Sequence, residues 1–368
     1  MTEMRPVGSR YLRWAKLHRP RTYDLTSSGM PHLAWDDIPG APARPALGGT
    51  GAYGWDTLRD ALSRRYGVAP GCIVQAPGCS MANWLAMAAV LDPGDEVLIE
   101  HPTYDPLPAV ARHLGARIRR FARRAEDGFA IDPAEVARQV SPRTRLVVVT
   151  NLHNPSSALA DDDTLRALAR VARSAGARVL VDEVYLDALF EPEPRTAFRL
   201  DDAFIATSSL TKVYGLNGLR CGWIFAEERL ARRIWRLIEI VNNIGAHVAE
   251  QLGAAAIEGI ETLGARSRRM LDANREALNA FYRAHGDRLE WTEHRAGTTS
   301  FPRLREGSVR RLCRVLEREL DTAVVPGAFF GMRDHVRIGL GVDPGVFAEG
   351  LHRLDRGMKR LAEGGGRE

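Results

Sequence analysis

The sequence predicts an α/β protein whose main domain contains a largely parallel sheet with helices on both faces. From residue 72 onward, short apolar runs rich in β-branched residues are bounded by turn residues, as is typical of strands buried inside a sheet. These runs alternate with segments of helical periodicity, an order that favours a parallel sheet with helical crossovers. A second, smaller α/β segment follows towards the C-terminus.

Five segments of the main domain are predicted as strands: IVQA (73–76), EVLIE (96–100), RLVVVT (145–150), RVLVDEV (178–184) and AFIATSS (203–209). Between them, residues 80–91 and 162–176 are predicted as helices. In the second of these helices Leu165 and Leu168 fall on one apolar face, and Gly176 marks its end.

The rest of the chain suggests a second unit. Residues 227–285 are helix-forming almost throughout and predict one long helix that leads out of the main domain. Residues 298–304 and 335–340 are predicted strands, with a helix near 308–320 between them. We therefore expect three regions: an N-terminal arm that forms part of the small domain (1–44), a large domain (45–255) and a C-terminal small domain (256–368).

Composition limits the functional classes. The chain has 368 residues, a net charge of +5 and 45% hydrophobic residues, which is ordinary for a globular protein. Basic runs such as residues 112–124 are interpreted as solvated helix faces, and no nucleic-acid-binding motif is present, so no nucleic-acid partner is expected. No apolar stretch reaches the roughly 18 to 20 residues of a membrane helix, and no signal core is visible, which predicts a cytoplasmic protein without a membrane partner. The four cysteines lack metal-ligand spacing and are expected to be reduced, and no metal site is predicted.

Lysine is rare in this chain. Only Lys16, Lys212 and Lys359 occur, whereas arginine supplies almost all other positive charges. Lys212 lies among small residues and glycines in SSLTKVYGLNGLRCG (208–222). Unlike arginine, lysine can lose its proton near neutral pH when its surroundings favour the neutral amine, and the neutral amine is the form that attacks a carbonyl.

Polar residues follow three of the predicted strands. Asn154 comes after the strand 145–150, Asp182 and Tyr185 lie at the end of the next, and Ser209 precedes Lys212 after the last. Ligands of parallel sheets bind beyond the carboxyl ends of the strands. These side chains are therefore expected to meet at one edge of the sheet.

One cofactor, pyridoxal 5'-phosphate, requires this combination of groups. Its aldehyde needs a lysine for a Schiff base, and its pyridine nitrogen needs a carboxylate to stay protonated. Its phosphate needs a helix N-terminus, hydroxyl groups and an arginine. The sequence supplies all of them.

The chain resembles the fold-type-I, class I/II aminotransferases, the family of aspartate aminotransferase, over about residues 45–340. The lysine signature of that family is matched by a serine three residues before Lys212, small residues and glycines around it, and Arg220 eight residues after it. The resemblance implies that the large domain contains a mostly parallel, seven-stranded-type sheet and that this domain binds the cofactor. It also implies a smaller α/β domain built from N- and C-terminal segments, and a homodimer with the site at its interface.

The same resemblance implies a role for each site residue. Lys212 would be the catalytic lysine. Cofactor contacts are implied for Cys79 and Ser80 in the phosphate-binding turn APGCSMA, Tyr104 against the ring, Asn154 and Tyr185 at the ring hydroxyl, Asp182 at the ring nitrogen, and Ser209 and Arg220 at the phosphate. Substrate contacts are implied for Arg337, which would clamp the carboxylate, and for Gly29 in the N-terminal segment YDLTSSGMPHL.

Several positions depart from the family pattern. Leu152 and Ser157 stand where a proline and a glycine are usual around the Asn-Pro motif, and Cys221 replaces a small aliphatic residue. The tyrosine that reaches across the dimer to the phosphate has no clean match. Tyr53 lies near the place and is the candidate. No residue is assigned to the distal part of the substrate.

The expected function is transfer of an amino group between an L-amino acid and a 2-oxo acid, with Lys212 moving the Cα proton. The expected partner is therefore a small, amino-acid-type substrate. An alternative keeps the scaffold and changes the reaction to β-elimination, decarboxylation or oxidative deamination of an amino-acid moiety on a larger metabolite. A non-catalytic regulator is a further alternative, but no helix-turn-helix pattern accompanies the cofactor motifs.

Overall fold

The computed structural model describes residues 7–49, 51–293 and 295–363 of the chain. The helices are α1 (Arg10–Leu17), α2 (Asp56–Tyr66), α3 (Gly78–Val90), α4 (Pro106–His113), α5 (Pro133–Gln139), α6 (Asp162–Ser174), α7 (Glu228–Val241), α8 (His247–Glu258), α9 (Ile260–Ala284), α10 (Val309–Glu319) and α11 (Pro344–Glu363). The strands are β1 (Tyr23–Asp24), β2 (Ile73–Pro77), β3 (Glu96–His101), β4 (Arg117–Ala122), β5 (Thr144–Thr150), β6 (Arg178–Asp182), β7 (Phe204–Ser209), β8 (Cys221–Phe225), β9 (Leu289–Glu290), β10 (Thr299–Ser300), β11 (Arg303–Leu304), β12 (Thr322–Ala323), β13 (Val325–Pro326) and β14 (Val336–Gly339).

A seven-stranded sheet organises the larger part of the molecule. Its strand order is β2, β8, β7, β6, β5, β3 and β4. The strands from β7 to β4 pair in parallel, whereas β8 runs antiparallel to both β7 and β2. The mostly parallel, seven-stranded sheet expected from the sequence is therefore confirmed.

Both faces of the sheet are covered by helices. Side chains of the central strands alternate between two apolar clusters, as strand geometry requires. Leu180 and Ile205 lie in the cluster that includes α3 and α7, whereas Val179 and Phe204 lie in the cluster that includes α6. Side chains of even-numbered residues in β6 and of odd-numbered residues in β7 therefore point towards α3. Further along each strand, the residues of the same parity point towards the start of that helix.

The smaller α/β unit combines the two ends of the chain, as expected. Strand β1 pairs in parallel with β12. Leu25, just after β1, is fully buried in an apolar cluster with residues of α9, α10 and α11. Gly339 at the end of β14 donates its amide to the carbonyl of Leu25. This hydrogen bond helps to place the N-terminal segment 25–30 near the carboxyl ends of the strands of the large sheet.

The five strands predicted for the main domain are confirmed within one or two residues, but two strands of the large sheet, β4 and β8, were not predicted. In the smaller unit, the single strand predicted over 298–304 is instead two short strands, β10 and β11. Residues 112–124 are not a helix face. They contain the end of α4 and the edge strand β4, whose arginines are largely solvent-exposed, and they include Arg123, which is fully buried against Glu100. Strand β8 directly follows the lysine loop, and the pattern of that loop hid its strand periodicity.

The predicted single helix over 227–285 is instead three helices, α7, α8 and α9. Asn243, between α7 and α8, has a φ of 61°, a left-handed conformation that asparagine tolerates better than most residues and that ends a helix. Gly259 separates α8 from α9. The last of the three, with 25 residues, is the long helix that enters the smaller unit.

Two absences hold for the described residues. Within residues 7–49, 51–293 and 295–363, no helix combines the length and apolar character needed to cross a bilayer. The same part of the chain contains no group of three or more histidine, cysteine, aspartate or glutamate side chains arranged to hold a metal ion.

Candidate active site

The carboxyl ends of three neighbouring parallel strands meet at one cavity. Thr150, Asp182 and Thr207 are direct register partners across β5, β6 and β7. The cavity beyond them has a volume of about 110 Å³ and is polar for much of its lining. Its lining includes nine of the predicted residues: Cys79, Ser80, Tyr104, Asn154, Asp182, Tyr185, Ser209, Lys212 and Arg220.

Asp182, the last residue of β6, supplies a buried carboxylate to this cavity. Its Oδ2 accepts a hydrogen bond from Asn83 Nδ2 at 2.8 Å, and its Oδ1 accepts one from the backbone amide of Val184 at 3.1 Å. The Cys79 thiol also donates to Oδ1, at 3.2 Å. Burial raises the pKa of Asp182, while these donors and the charge of Lys212 oppose the rise.

Lys212 enters the cavity from the turn after β7. Its Nζ donates to the hydroxyl of Ser28 at 3.1 Å. Burial, and after it the positive charge of Arg337, lowers the pKa of the Lys212 amine to about 8, although the charge of Asp182 opposes this shift. A lysine with this pKa releases its proton far more easily than an ordinary surface lysine.

The N-terminal segment packs directly on Lys212. The amide of Met30 donates to the carbonyl of Lys212 at 2.8 Å. A Cβ at Gly29 would meet Lys212 Cδ at 3.3 Å, so a larger residue at this position would press on the lysine side chain. Gly29 is therefore brought to the site.

Arg337 lies next to the cavity and is fully buried. Its Nη1 donates to Asn154 Oδ1 at 3.3 Å, and its Nη2 donates to Tyr11 Oη at 2.7 Å and to the carbonyl of Thr26 at 2.9 Å. The guanidinium carbon lies 5.2 Å from the ring centre of Tyr11 and 5.1 Å from that of Phe330. Its Nε has no hydrogen-bond partner among the described residues. This buried cation thus has an unused donor and partners that are all uncharged.

Tyr185 and Tyr104 both line the cavity. The hydroxyl of Tyr185 donates to Ser28 Oγ at 2.9 Å and lies 3.5 Å from Asn154 Nδ2. Burial raises the pKa of both phenols, so they stay protonated at neutral pH. Tyr104 places its ring 5.9 Å from that of Tyr11, in an edge-on arrangement.

The start of α3 lies at one end of the cavity and has the features of an anion-binding site, and this part of the cavity is called the anion-binding end below. The first amides of a helix are unpaired within the helix and carry partial positive charge, and Ser80 adds an exposed hydroxyl there. Arg220 reaches the same end, and a Cβ at Gly78 would overlap its guanidinium. A Cβ at Gly222 would come within 2.7 Å of Gly78 Cα. Glycine at positions 78 and 222 therefore lets helix, strand and arginine approach one another closely.

The backbone of Arg220 is unusual. Its φ is 51°, a left-handed conformation that non-glycine residues rarely adopt and that tends to occur at functional sites. On the same side of the cavity, Ser209 Oγ donates to Thr211 Oγ1 at 2.9 Å. Three hydroxyls, those of Ser80, Ser209 and Thr211, therefore line the cavity together with the guanidinium of Arg220.

Tyr53 is not brought to the cavity within this chain. Its hydroxyl donates to Glu239 at 3.1 Å, and its ring packs 5.6 Å from that of Trp235 on the outer surface. The predicted contact of Tyr53 with the phosphate across a dimer stays a prediction.

Three residues at the site were missed in the sequence. Asn83 interrupts the apolar helix SMANWLAMAAVL, and a polar side chain on its sheet-facing side was a usable signal. Ser28 and Tyr11 come from the N-terminal segment and α1. Their contacts depend on tertiary packing, and no local pattern marks them.

The groups around the cavity fit pyridoxal phosphate by their chemistry. A lysine amine with a lowered pKa, a buried carboxylate, a phenol beside an amide, and an anion-binding helix end with an arginine occupy one small space. Each group matches a different part of that cofactor. The unused donor of Arg337 and the cation at this position match a substrate carboxylate.

Comparisons with known proteins agree with this chemistry. The family model "Aminotransferase class I and II" matches residues 41–354. Capreomycidine synthase from Streptomyces vinaceus is 30% identical over 356 residues, covering 92% of this chain and 89% of that protein. A PLP-dependent aminotransferase from Streptococcus suis 89-1591 has a TM-score of 0.88 at 24% identity, covering 95% of this chain and 97% of that one.

A second similar structure is that of a protein described as a cyclase rather than as an aminotransferase. The PLP-dependent cyclase OrfR, solved in complex with Au, has a TM-score of 0.85 at 26% identity, covering 98% of this chain and all of that one. The family match covers most of the chain and includes the lysine loop and the carboxylate strand. The chain therefore belongs to the class I and II aminotransferase family, and it is a pyridoxal-phosphate-dependent enzyme of that family.

Proposed function

We propose that this enzyme transfers an amino group between an L-amino acid and a 2-oxo acid, with Lys212 as the catalytic base. The supporting observation is that the Lys212 amine, with a pKa lowered to about 8, shares one cavity with the buried Asp182 carboxylate. An amine and a carboxylate that line the same cavity match the two ends of a pyridine aldehyde in their chemistry.

The cofactor would be held at three places by residues of this chain. Lys212 would bind its aldehyde, Asp182 its ring nitrogen, and Ser80, Ser209 and Arg220 its phosphate. Asn154 and Tyr185 would bind the ring hydroxyl, Tyr104 would cover one face of the ring, and Cys79 would lie beside Asp182. Pyridoxal phosphate, when bound, supplies an aldehyde for amines and a protonated ring that withdraws electrons from the substrate Cα.

The proton-transfer step is assigned to Lys212. With a pKa of about 8, roughly one amine in ten is neutral at pH 7, whereas an unperturbed lysine has only about one in 2,500 neutral. The neutral Nζ would take the proton from the substrate Cα. Ser28, within 3.1 Å of Nζ, holds the free amine inside the site.

Substrate orientation is assigned to Arg337. Its planar guanidinium can accept a carboxylate in a bidentate pair, and Asn154 is already hydrogen-bonded to the same group. Tyr11 occupies Nη2 in the structure, so a bound carboxylate would replace or share that hydrogen bond. Gly29 keeps the space beside Lys212 open.

A second candidate keeps the scaffold and the cofactor but carries out a reaction other than amine transfer. Its support is the similarity to a synthase and to a cyclase that both cover nearly the whole chain. Leu152 and Ser157 also replace the usual residues beside the site, and Ser157 has a φ of 70° and donates to the carbonyl of Thr299. β-Elimination, decarboxylation or oxidative deamination of a larger amino-acid-containing metabolite belong to this class.

Product analysis separates the two candidates. The holoenzyme is incubated with a panel of L-amino acids, with and without a 2-oxo acid, and the products are identified by mass spectrometry. Transamination requires the 2-oxo acid and yields its amino acid. Product formed without a 2-oxo acid, with release of ammonia or with loss of a β-substituent, would contradict transamination and support the second class.

The cofactor assignment has its own test. Borohydride reduction followed by peptide mass spectrometry should find the cofactor attached to Lys212 in the wild-type protein. The Lys212→Ala variant should carry no attached cofactor. A cofactor attached to Lys16 or Lys359 instead would contradict the assignment.

The proposal includes a homodimer. Five large apolar side chains are exposed in two segments that lie close together in space, since Tyr53 contacts Trp235 and Glu239. They are Leu47, Tyr53, Ile240, Val241 and Ile244. Exposed apolar side chains in a cluster favour association. Sedimentation at micromolar concentration should give a dimer, and Ile240→Asp should shift it towards the monomer.

A further inference from the structure

The carboxylate of Asp182 is held by a polar cluster that belongs to one side of the sheet. Asp182 and Thr207 are register partners on β6 and β7, and both point towards α3. Asn83 faces them from the second turn of α3 and is almost fully buried. An asparagine, an aspartate and a threonine therefore meet inside an otherwise apolar interface.

The hydrogen bonds of this cluster run in one direction. Thr207 Oγ1 donates to Asn83 Oδ1 at 2.7 Å. Asn83 Nδ2 in turn donates to Asp182 Oδ2 at 2.8 Å. Because the threonine hydroxyl satisfies the amide oxygen, the amide nitrogen is the end that faces the carboxylate.

We propose that Asn83, oriented by Thr207, is a positioning residue that keeps the Asp182 carboxylate ionised and directed at the ring nitrogen of the cofactor. The inference rests on the proposed function, in which Asp182 is the partner of that nitrogen. It adds a role for two residues that the proposed function does not use.

The physical argument concerns the charge of Asp182. Burial opposes ionisation of this carboxyl group, and Asn83 is the largest of the contributions that favour the charged form. A neutral amide can donate to a carboxylate without bringing a competing charge. An ionised Asp182 keeps the ring nitrogen protonated, whereas a protonated Asp182 does not.

Other titratable groups face Asp182 and enter the interpretation of any pH profile. Cys79 and Lys212 lie in the same cavity, and the charge of Lys212 favours ionised Asp182. Tyr104, Tyr185 and Glu183 are also electrostatically coupled to Asp182. Burial raises the pKa of Cys79, Tyr104 and Tyr185, so these three stay neutral near pH 7.

A purely structural role for Asn83 predicts a different result. A buried amide that only satisfies its neighbours would contribute to folding and leave the ring nitrogen unaffected. The two hydrogen bonds from Thr207 to Asn83 and from Asn83 onward have a carboxylate as their last acceptor, not a backbone carbonyl. This carboxylate lines the cavity. The two roles therefore differ in what happens to the bound cofactor.

The test uses holoenzyme loaded with pyridoxal phosphate labelled with ¹⁵N in the ring. The ¹⁵N NMR shift of the ring nitrogen reports its protonation, and a separate titration gives the cofactor affinity. Asn83→Leu keeps the branched shape and removes the donor. We expect the ring nitrogen to lose its proton at a lower pH than in the wild type, and the affinity to fall by about tenfold, which equals about 1.4 kcal/mol.

Thr207 provides a matched pair of variants. Thr207→Val removes the hydroxyl that orients the amide, and Thr207→Ser keeps it. We expect the valine variant to shift the ring nitrogen in the same direction as Asn83→Leu, but less, and the serine variant to resemble the wild type. Asn274→Leu is the control for loss of a buried amide, because within the described residues Asn274 donates to the carbonyls of Leu340 and Val342, outside the cavity.

Two results would overturn the inference. One is an unchanged ring-nitrogen titration in both Asn83→Leu and Thr207→Val, provided that both bind cofactor. The other is an equal shift in Asn274→Leu. If the wild-type protein itself shows no protonated ring nitrogen or no attachment at Lys212, the proposed function fails instead, and the two failures are thereby distinguished.

Discussion

The amine of Lys212 lies 3.1 Å from the hydroxyl of Ser28, which is also bonded to the hydroxyl of Tyr185. The backbone of Ser28 is fixed as well, because Thr298 Oγ1 donates to its carbonyl at 2.8 Å. A residue of the N-terminal segment therefore connects the proposed base with the proposed partner of the ring hydroxyl. This contact is the basis of the first prediction.

Ser28→Ala should lower kcat by about tenfold, the effect of one lost hydrogen bond near the reacting atom, and leave KM nearly unchanged. The cofactor should still attach to Lys212, as peptide mass spectrometry after borohydride reduction would detect. Ser28→Thr, which keeps the hydroxyl, should recover most of the rate. An alanine variant with wild-type kcat would show that Ser28 does not hold the free amine.

The lowered pKa of Lys212 can be measured without the cofactor. The neutral amine is the reactive form, so labelling of Lys212 in the apoprotein by an amine-reactive reagent should rise with pH and reach its midpoint near 8. A midpoint at about 10.4, the ordinary value for a lysine side chain, would contradict the desolvation argument.

Arg337→Lys should raise KM for the amino-acid substrate by more than tenfold, because lysine offers a point charge where a planar fork is required. The stacked position between Tyr11 and Phe330 also suits guanidinium rather than ammonium. Arg353→Lys is the matched control, since Arg353 lies 4.0 Å from the ring centre of Tyr23 and donates to Glu349 and to the carbonyl of Leu320, whereas Arg337 donates to Asn154 in the cavity lining. Steady-state kinetics with equal KM changes in both variants would refute a role for Arg337 in substrate binding.

Glu183 predicts a pH dependence of stability. Burial raises its pKa to about 8, although it accepts a hydrogen bond from the amide of Ala197. Because the folded state favours the protonated form, its contribution to the free energy of unfolding is complete below the unfolded pKa near 4.5. It is lost as the pH rises to about 8. Glu183→Gln should flatten this fall, as measured by urea unfolding at pH 5, 6.5 and 8. A wild-type protein that gains stability over this range relative to the variant would contradict the prediction.

Site residues could be predicted from the sequence where a pattern of neighbouring residues marked them. Asp182, Asn154 and Lys212 follow strands with strong apolar character, and the parallel arrangement alone brings strand ends together. Strand β4 was missed because an edge strand carries charged side chains towards solvent, and these hide its period. Arg123, buried against Glu100, could not be told from its exposed neighbours in the same run.

Contacts between distant segments were beyond the sequence. Ser28 is 184 residues from Lys212, and Tyr11 is 326 residues from Arg337. Neither pair has a local pattern, because their approach depends on the pairing of β1 with β12 and on the packing of α1 against the site. Asn83 is the exception, since one polar residue on an apolar helix face was visible.

The position of Tyr11 has a consequence for how this enzyme could diversify. An eight-residue helix, α1, carries the phenol of Tyr11, which accepts a hydrogen bond from Arg337, the proposed carboxylate clamp. Ser9, just before this helix, donates to Asp105 at 2.5 Å. Changes within this short helix would alter what the clamp accepts without disturbing the sheet that carries the lysine and the aspartate. Substrate preference could thus evolve through a peripheral element, independently of the machinery that performs the reaction.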